Sequence, residues 1–247
     1  MAGIDEAGRG PIAGPVVAAA VVFDFEQRRP IGLKDSKLLP LARREKLFRQ
    51  IQRSALAYGV GIVHAAEIDL VNILEATRLA ALRALDQVAE QLGGRRVGAL
   101  VTDALDIPAA LLPINPIVKG DRKSSSIAAA SILAKVTRDR MMDAYHEEFP
   151  DYGWNSNRGY PTEDHLAAVN RHGPTSLHRF SFNGVGFFTT EPRRSLTFKR
   201  LSKLIAASPP TSDARLAVEA ELDQCAERMP PPDVELLRER IRIRFGT

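Results

Sequence analysis

The period of the hydrophobic positions changes repeatedly along the chain. Pro15 to Phe23 is a run of Val and Ala that reads as a buried strand. Leu41 to Ala57 is amphipathic: Leu47, Phe48, Ile51 and Ala55 share one helical face, and Arg43, Arg44, Arg49 and Arg53 fall among the polar positions. Tyr58 to Val63 is a short strand containing two glycines. Ala65 to Leu92 predicts one long helix, with Thr77, Ala81, Ala84 and Val88 on a face and Gly93-Gly94 as its stop. Val97 to Val101 is a buried strand running toward Asp103, and Asn115 to Val118 is another running into Lys119-Gly120-Asp121. Ser124 to Phe149 is helical, with Ile127, Ala130, Ala134, Met141 and Tyr145 along its apolar side. Thr162 caps a further short helix that carries Glu163 and Asp164 in its first turn and has Gly173 after its end.

Strands interleaved with helices indicate an α/β domain, expected over residues 1–188. Residues 189–247 read as a C-terminal extension of unknown role. It opens on a basic stretch, Glu191 to Lys203, followed by the linker-like Ser208-Pro209-Pro210-Thr211-Ser212. Ala214 to Arg228 and Val234 to Arg244 are predicted helices separated by Pro230-Pro231-Pro232.

Composition narrows the classes. Hydrophobic residues make up 45% and charged residues 26%, as in a globular protein with a buried core. No apolar run reaches the roughly 18 residues of a membrane span, and Asp5-Glu6 stands where a secretory signal would be basic. The single cysteine, Cys225, excludes an intramolecular disulfide and a multi-cysteine zinc site and fits a reducing cytoplasm. A net charge of +4 and a pI near 9.4 hint at a polyanionic partner.

Four carboxylates stand at positions that carry chemistry. Asp5 and Glu6 precede Ala7-Gly8-Arg9-Gly10-Pro11, Asp103 closes a buried strand, and Asp121 follows another just before a helix. Strand ends in open α/β sheets converge on one crevice. Carboxylates gathered there repel unless a cation lies between them, and oxygen-only ligands suit Mg²⁺ or Mn²⁺. Placement alone leaves alternatives open. An Asp after a strand is commonly a turn or cap residue, and neighbours such as Asp5 and Glu6 point to opposite faces of a regular strand. Only four residues precede Asp5, short for a first strand. Gly8-Arg9-Gly10 reads either as a loop that lets backbone approach a phosphate or as an ordinary turn. The spacing of His165, His172 and His178 fits no closed zinc site, so surface positions are expected, with His172 or His178 as candidate groove residues.

The motifs are more specific than their placement. DEAGRGP (Asp5 to Pro11), GLKDSKLL (Gly32 to Leu39), EIDLVNILEAT (Glu67 to Thr77), VTDAL (Val101 to Leu105), VKGD (Val118 to Asp121), AAASILAKVTRDR (Ala128 to Arg140) and GYPT (Gly159 to Thr162) occur in order. Together they resemble bacterial ribonuclease HII over most of residues 1 to about 185. The resemblance implies a ribonuclease H-like fold with a mixed central sheet flanked by helices. It implies Asp5, Glu6, Asp103 and Asp121 as catalytic carboxylates holding two Mn²⁺ or Mg²⁺ ions. Gly8, Arg9 and Gly10 would hold the nucleic acid at the ribonucleotide, and Tyr160 would stack near the adjoining deoxyribose; the alternative for Tyr160 is a half-buried core tyrosine.

Lys37 and Lys119 are candidate phosphate contacts, and Ser124 to Ser126 could offer helix N–H groups. The activity implied is hydrolysis of RNA in RNA/DNA hybrids and nicking 5′ of single ribonucleotides in duplex DNA, leaving 3′-OH and 5′-phosphate. The enzyme is expected to act as a cytoplasmic monomer, without a membrane, and a replication clamp is a candidate partner for the tail.

Overall fold

The computed structural model describes the chain except residues 25–29, 34–38, 94–96, 104, 111, 118–119, 121–122, 186–195, 227–228, 230 and 247. Five strands form one mixed sheet, in the order β3-β2-β1-β4-β5. β2 (Val16–Val22) runs antiparallel to both of its neighbours, β1 (Ala2–Ala7) and β3 (Ala57–Val63). β4 (Leu100–Thr102) is parallel to β1, and β5 (Ile114–Pro116) is parallel to β4. The four residues before Asp5 suffice, because Ala2 already pairs with Leu100 and Gly3 with both Val101 and Val21.

β2 is buried along its whole length. Its alternation sends Val16, Ala18, Ala20 and Val22 into one core and Val17, Ala19 and Val21 into the other. The first core is closed by α3 (Ile73–Gln91), and the second by α1 (Leu41–Ser54) and α4 (Ser125–Glu148). Small residues let the helices come close. A Cβ on Gly61 would stand 1.9 Å from the Ala80 carbonyl oxygen, so α3 lies directly against β3. From that distance α3 also serves the outer edge of β3. Gln87 accepts from Val60 N and donates to Val60 O (3.0 and 2.9 Å), Gln91 does the same at Tyr58 (3.1 and 2.6 Å), and Arg83 donates to Ile62 O at 2.6 Å. The side chains sit four residues apart on the helix and meet alternate residues of the strand.

The long helix expected over Ala65 to Leu92 is two helices, α2 (Ala65–Val71) and α3, broken at Asn72. Asn72 has φ 74° and ψ 164°, and its side chain accepts from Leu74 N and Glu75 N (2.9 and 3.2 Å). An asparagine that caps the next helix overrides the continuous apolar period. After α4 come α5 (Trp154–Asn157) and α6 (Glu163–His172), the latter capped by Thr162 as predicted, with Gly173 at its end.

The extension forms α7 (Leu196–Ala207), α8 (Ser212–Ala226) and α9 (Pro231–Phe245), packed on their own apolar cluster that includes Leu201, Val218, Leu222 and Leu237. α9 also reaches the sheet domain. Arg240 donates to Asp69 O at 2.8 Å, and Arg244 pairs with the buried Glu75 at 3.3 Å. The expected boundary at residue 188 lies outside the described residues. No described helix is long and apolar enough to cross a membrane.

Candidate active site

The carboxylates sit where β4 ends beside the last residues of β1. Ile4 pairs with Thr102 in the parallel ladder, so the next residue on each strand is an aspartate, Asp5 and Asp103. In the antiparallel ladder Asp5 is opposite Ala19, on the face covered by α1 and α4. Its Oδ1 accepts from Glu6 N at 2.8 Å, and Ser131 of α4 hydrogen-bonds its carboxyl. Burial, then the charges of Glu6 and Asp103, push the Asp5 carboxyl up to about 7, against these two hydrogen bonds. Asp103 Oδ1 accepts from Gly120 N at 3.1 Å, which ties the end of β4 to the turn before α4. Glu6 faces Arg9, whose guanidinium lies 3.2 Å from Oε1.

Asp5, Glu6 and Asp103 are thus brought to one end of the sheet, whereas Asp121, Lys119 and Lys37 lie outside the described residues. Among the described residues no three His, Cys, Asp or Glu side chains already form a metal-holding group. The donors nevertheless fit a hard cation: they are carboxylate oxygens only, and the charges of Glu6 and Asp103 add to the raised proton affinity of Asp5.

The Gly8-Arg9-Gly10 loop leaves β1 beside this end. Gly8 has φ +97°, and a Cβ there would lie 2.2 Å from Arg138 Nε, so the position is closed to larger residues. Two fully buried arginines lie behind the loop, one holding it and one holding the segment that follows. Arg179 donates to Gly8 O (2.6 Å), Arg9 O (3.1 Å) and Gly14 O (3.0 Å). Arg138 donates to Pro15 O (2.9 Å), Ala13 O (3.1 Å) and Arg158 O (2.9 Å). Burial lowers their guanidinium pKa values to about 9 and about 10, which leaves both charged at neutral pH. Neither was singled out from the sequence, where arginine reads as a surface residue. The usable signal is a glycine-rich loop whose buried carbonyls need donors from elsewhere.

Tyr160 is exposed (45%) and so is not a core tyrosine. Its ring lies over Gly10, where a Cβ would be 3.4 Å from Cε1, and the two motifs are joined by Ile12 N donating to Gly159 O at 2.8 Å. Ser124 caps α4 by accepting from Ile127 N at 3.5 Å. The histidines differ from expectation: His172 is exposed, but His165 and His178 are fully buried, with Trp154, behind Tyr160. They are anchored by hydrogen bonds that spacing alone does not reveal.

A mixed sheet flanked by helices, with aspartates side by side on adjacent parallel strands, defines the ribonuclease H-like class of nucleases. The comparisons are more particular. The family model described as Ribonuclease HII matches residues 2–185. Ribonuclease HII of Syntrophotalea carbinolica is 50% identical over 185 residues, 75% of this chain and 86% of the relative. Among solved structures, ribonuclease H2 of Pyrococcus horikoshii is similar with TM-score 0.60 and 27% identity, covering 76% of this chain and 95% of that one. The ribonuclease HII of Archaeoglobus fulgidus, solved in complex with PCNA, is similar with TM-score 0.59 and 28% identity, covering 77% and 97%. The chain belongs to the ribonuclease HII family. It is a metal-dependent endoribonuclease that acts on RNA/DNA hybrids and on ribonucleotides in DNA, with a place in DNA replication and repair.

Proposed function

We propose that Asp5, Glu6, Asp103 and Asp121 are the catalytic carboxylates and hold two divalent cations, Mn²⁺ or Mg²⁺. The observation that carries this reading is the ladder pair Ile4–Thr102, which delivers Asp5 and Asp103 side by side. Bound there, the cations would supply an activated water and neutralise charge on the leaving oxygen. The protein's own part is to hold the phosphodiester against the strand ends. Gly8, Arg9 and Gly10 offer backbone groups to the 2′-OH, the one group that separates a ribonucleotide from its neighbours. The exposed Tyr160 ring beside Gly10 packs on the adjoining deoxyribose, where a polar 2′-OH would be disfavoured. Lys37 and Lys119 contact phosphates. The scissile bond is the one 5′ of the ribonucleotide, and the products carry 3′-OH and 5′-phosphate.

We also infer a monomer acting in the cytoplasm. Clamp contact through the C-terminal helices draws support only from the PCNA complex of the Archaeoglobus fulgidus relative. The deciding experiment compares a DNA duplex carrying one ribonucleotide with a continuous RNA/DNA hybrid, each with Mg²⁺ and with Mn²⁺. Cutting 5′ of the single ribonucleotide, abolished by Asp103→Asn, supports the proposal; equal cutting by Asp103→Asn removes its catalytic core.

A further inference from the structure

We propose that Arg179 is the positioning residue that sets which way the Gly8-Arg9-Gly10 loop presents its peptide groups, and that Asp69 holds Arg179's own segment in place. The inference rests on the reading of that loop as the ribonucleotide sensor.

A trans peptide points its C=O and its N–H in opposite directions, and none of the described peptide bonds is cis. Arg179 draws the Gly8 and Arg9 carbonyls toward the buried side, at 2.6 and 3.1 Å. The N–H groups of the same two peptide units belong to Arg9 and Gly10, and they therefore face away from Arg179, on the loop's outer side. Two successive outward N–H groups suit an oxygen ligand, a hydroxyl or a phosphate. Without the guanidinium, φ freedom at Gly8 and Gly10 would let these peptides turn over.

Arg179 is itself fixed at both ends. Its backbone N donates to Ile12 O at 2.8 Å, and the preceding residue, His178, bridges to Ala13. The next two residues are clamped by one carboxylate: Phe180 N donates to Asp69 Oδ2 at 2.8 Å, and Ser181 N and Oγ donate to Asp69 Oδ1 at 2.9 and 2.5 Å. Asp69 lies on α2. A chain of direct bonds therefore runs from α2 through residues 179–181 to the loop. Arg138 has a different task, since its carbonyls, Ala13, Pro15 and Arg158, lie outside the Gly-Arg-Gly triplet.

The test measures binding preference rather than activity alone. Affinities are compared for a duplex with one ribonucleotide and for the all-deoxy duplex of the same sequence, with Ca²⁺ in place of the catalytic ion. Arg179→Lys keeps the charge but cannot span three carbonyls, and its preference for the ribonucleotide is expected to fall roughly three- to tenfold, the worth of one or two misplaced hydrogen bonds. Asp69→Asn should lower it less. A folded Arg179→Lys with the wild-type preference overturns the positioning role; if that variant does not fold, an unchanged preference in Asp69→Asn overturns it. Gly10→Pro, which removes one of the two outward N–H groups, is measured in parallel and separates the two levels. If a folded Gly10→Pro and Arg179→Lys both keep the wild-type preference, the sensor reading fails and the proposal with it. If Gly10→Pro shifts the preference and Arg179→Lys does not, only the role of Arg179 fails.

Discussion

The indole Nε1 of Trp154 donates to Nε2 of His165 at 2.9 Å, and both side chains are fully buried. The same nitrogen faces His178 Nε2 at 3.2 Å, while His165 Nδ1 lies 2.8 Å from Tyr160 O and His178 Nδ1 accepts from Thr175 N at 3.0 Å. The partners dictate the tautomers: His165 carries its proton on Nδ1 and His178 on Nε2, and both rings are neutral. The pair therefore fastens Tyr160, the exposed ring proposed to meet the substrate, to a buried aromatic cluster.

A pH dependence follows. Burial, then the neighbouring His165, lowers His178 from 6.5 to about 4, and burial lowers His165 as well. Between these values the unfolded chain binds a proton that the folded chain refuses. The contribution is thus complete above about pH 6.5 and is lost as pH falls toward 4, on the order of 3 kcal/mol for His178. NMR titration should find the His178 ring neutral down to about pH 4.5. A midpoint near 6.5 in the folded protein would contradict the buried network.

Asp103→Asn should lower kcat by roughly 10²–10⁴-fold, the rate equivalent of several kcal/mol of metal-assisted stabilisation. Mn²⁺ should raise the melting temperature of the wild type, because it binds the folded state alone, and raise that of Asp103→Asn much less. Equal shifts in both proteins would place the metal elsewhere.

Tyr160→Ala should reduce kcat/KM on a duplex with one ribonucleotide by about tenfold, the lower part of the range for aromatic stacking on a nucleotide. Tyr160→Phe should stay close to wild type, since the packing surface is retained. Urea unfolding should be nearly unchanged in both, as the ring is exposed.

Asn72→Ala should destabilise the protein by roughly 1–3 kcal/mol in urea unfolding, through loss of the cap and strain at positive φ. Asn72→Gly should be nearly neutral, because relief of strain offsets the lost cap. Equal losses in the two variants would show that strain plays no part.

The fold class was legible because α1 and α3 carry helical periods, because β2 is an unbroken apolar run, and because the motifs around Asp5 and Asp103 are ordered. The helix break at Asn72 was not, since one residue changes direction without interrupting the apolar spacing on either side. Nor was the burial of His165, His178, Arg138 and Arg179. Polar side chains enter a core only when partners satisfy them; for Arg179 those partners, such as Gly8, lie far along the chain, and for the histidines they depend on how the chain turns, so a linear pattern does not contain the pairings. The carboxylates announce themselves by their motifs, whereas the groups that hold the loop do not.

The glutamines of α3 have one further effect. An edge strand normally offers a free ladder on which another chain can add, the first step of edge-to-edge aggregation. At β3 the amides of Gln87 and Gln91 already occupy those positions as a strand would. The sheet cannot grow in that direction, so crowding many copies along one nucleic acid carries little risk of their zipping together through β3.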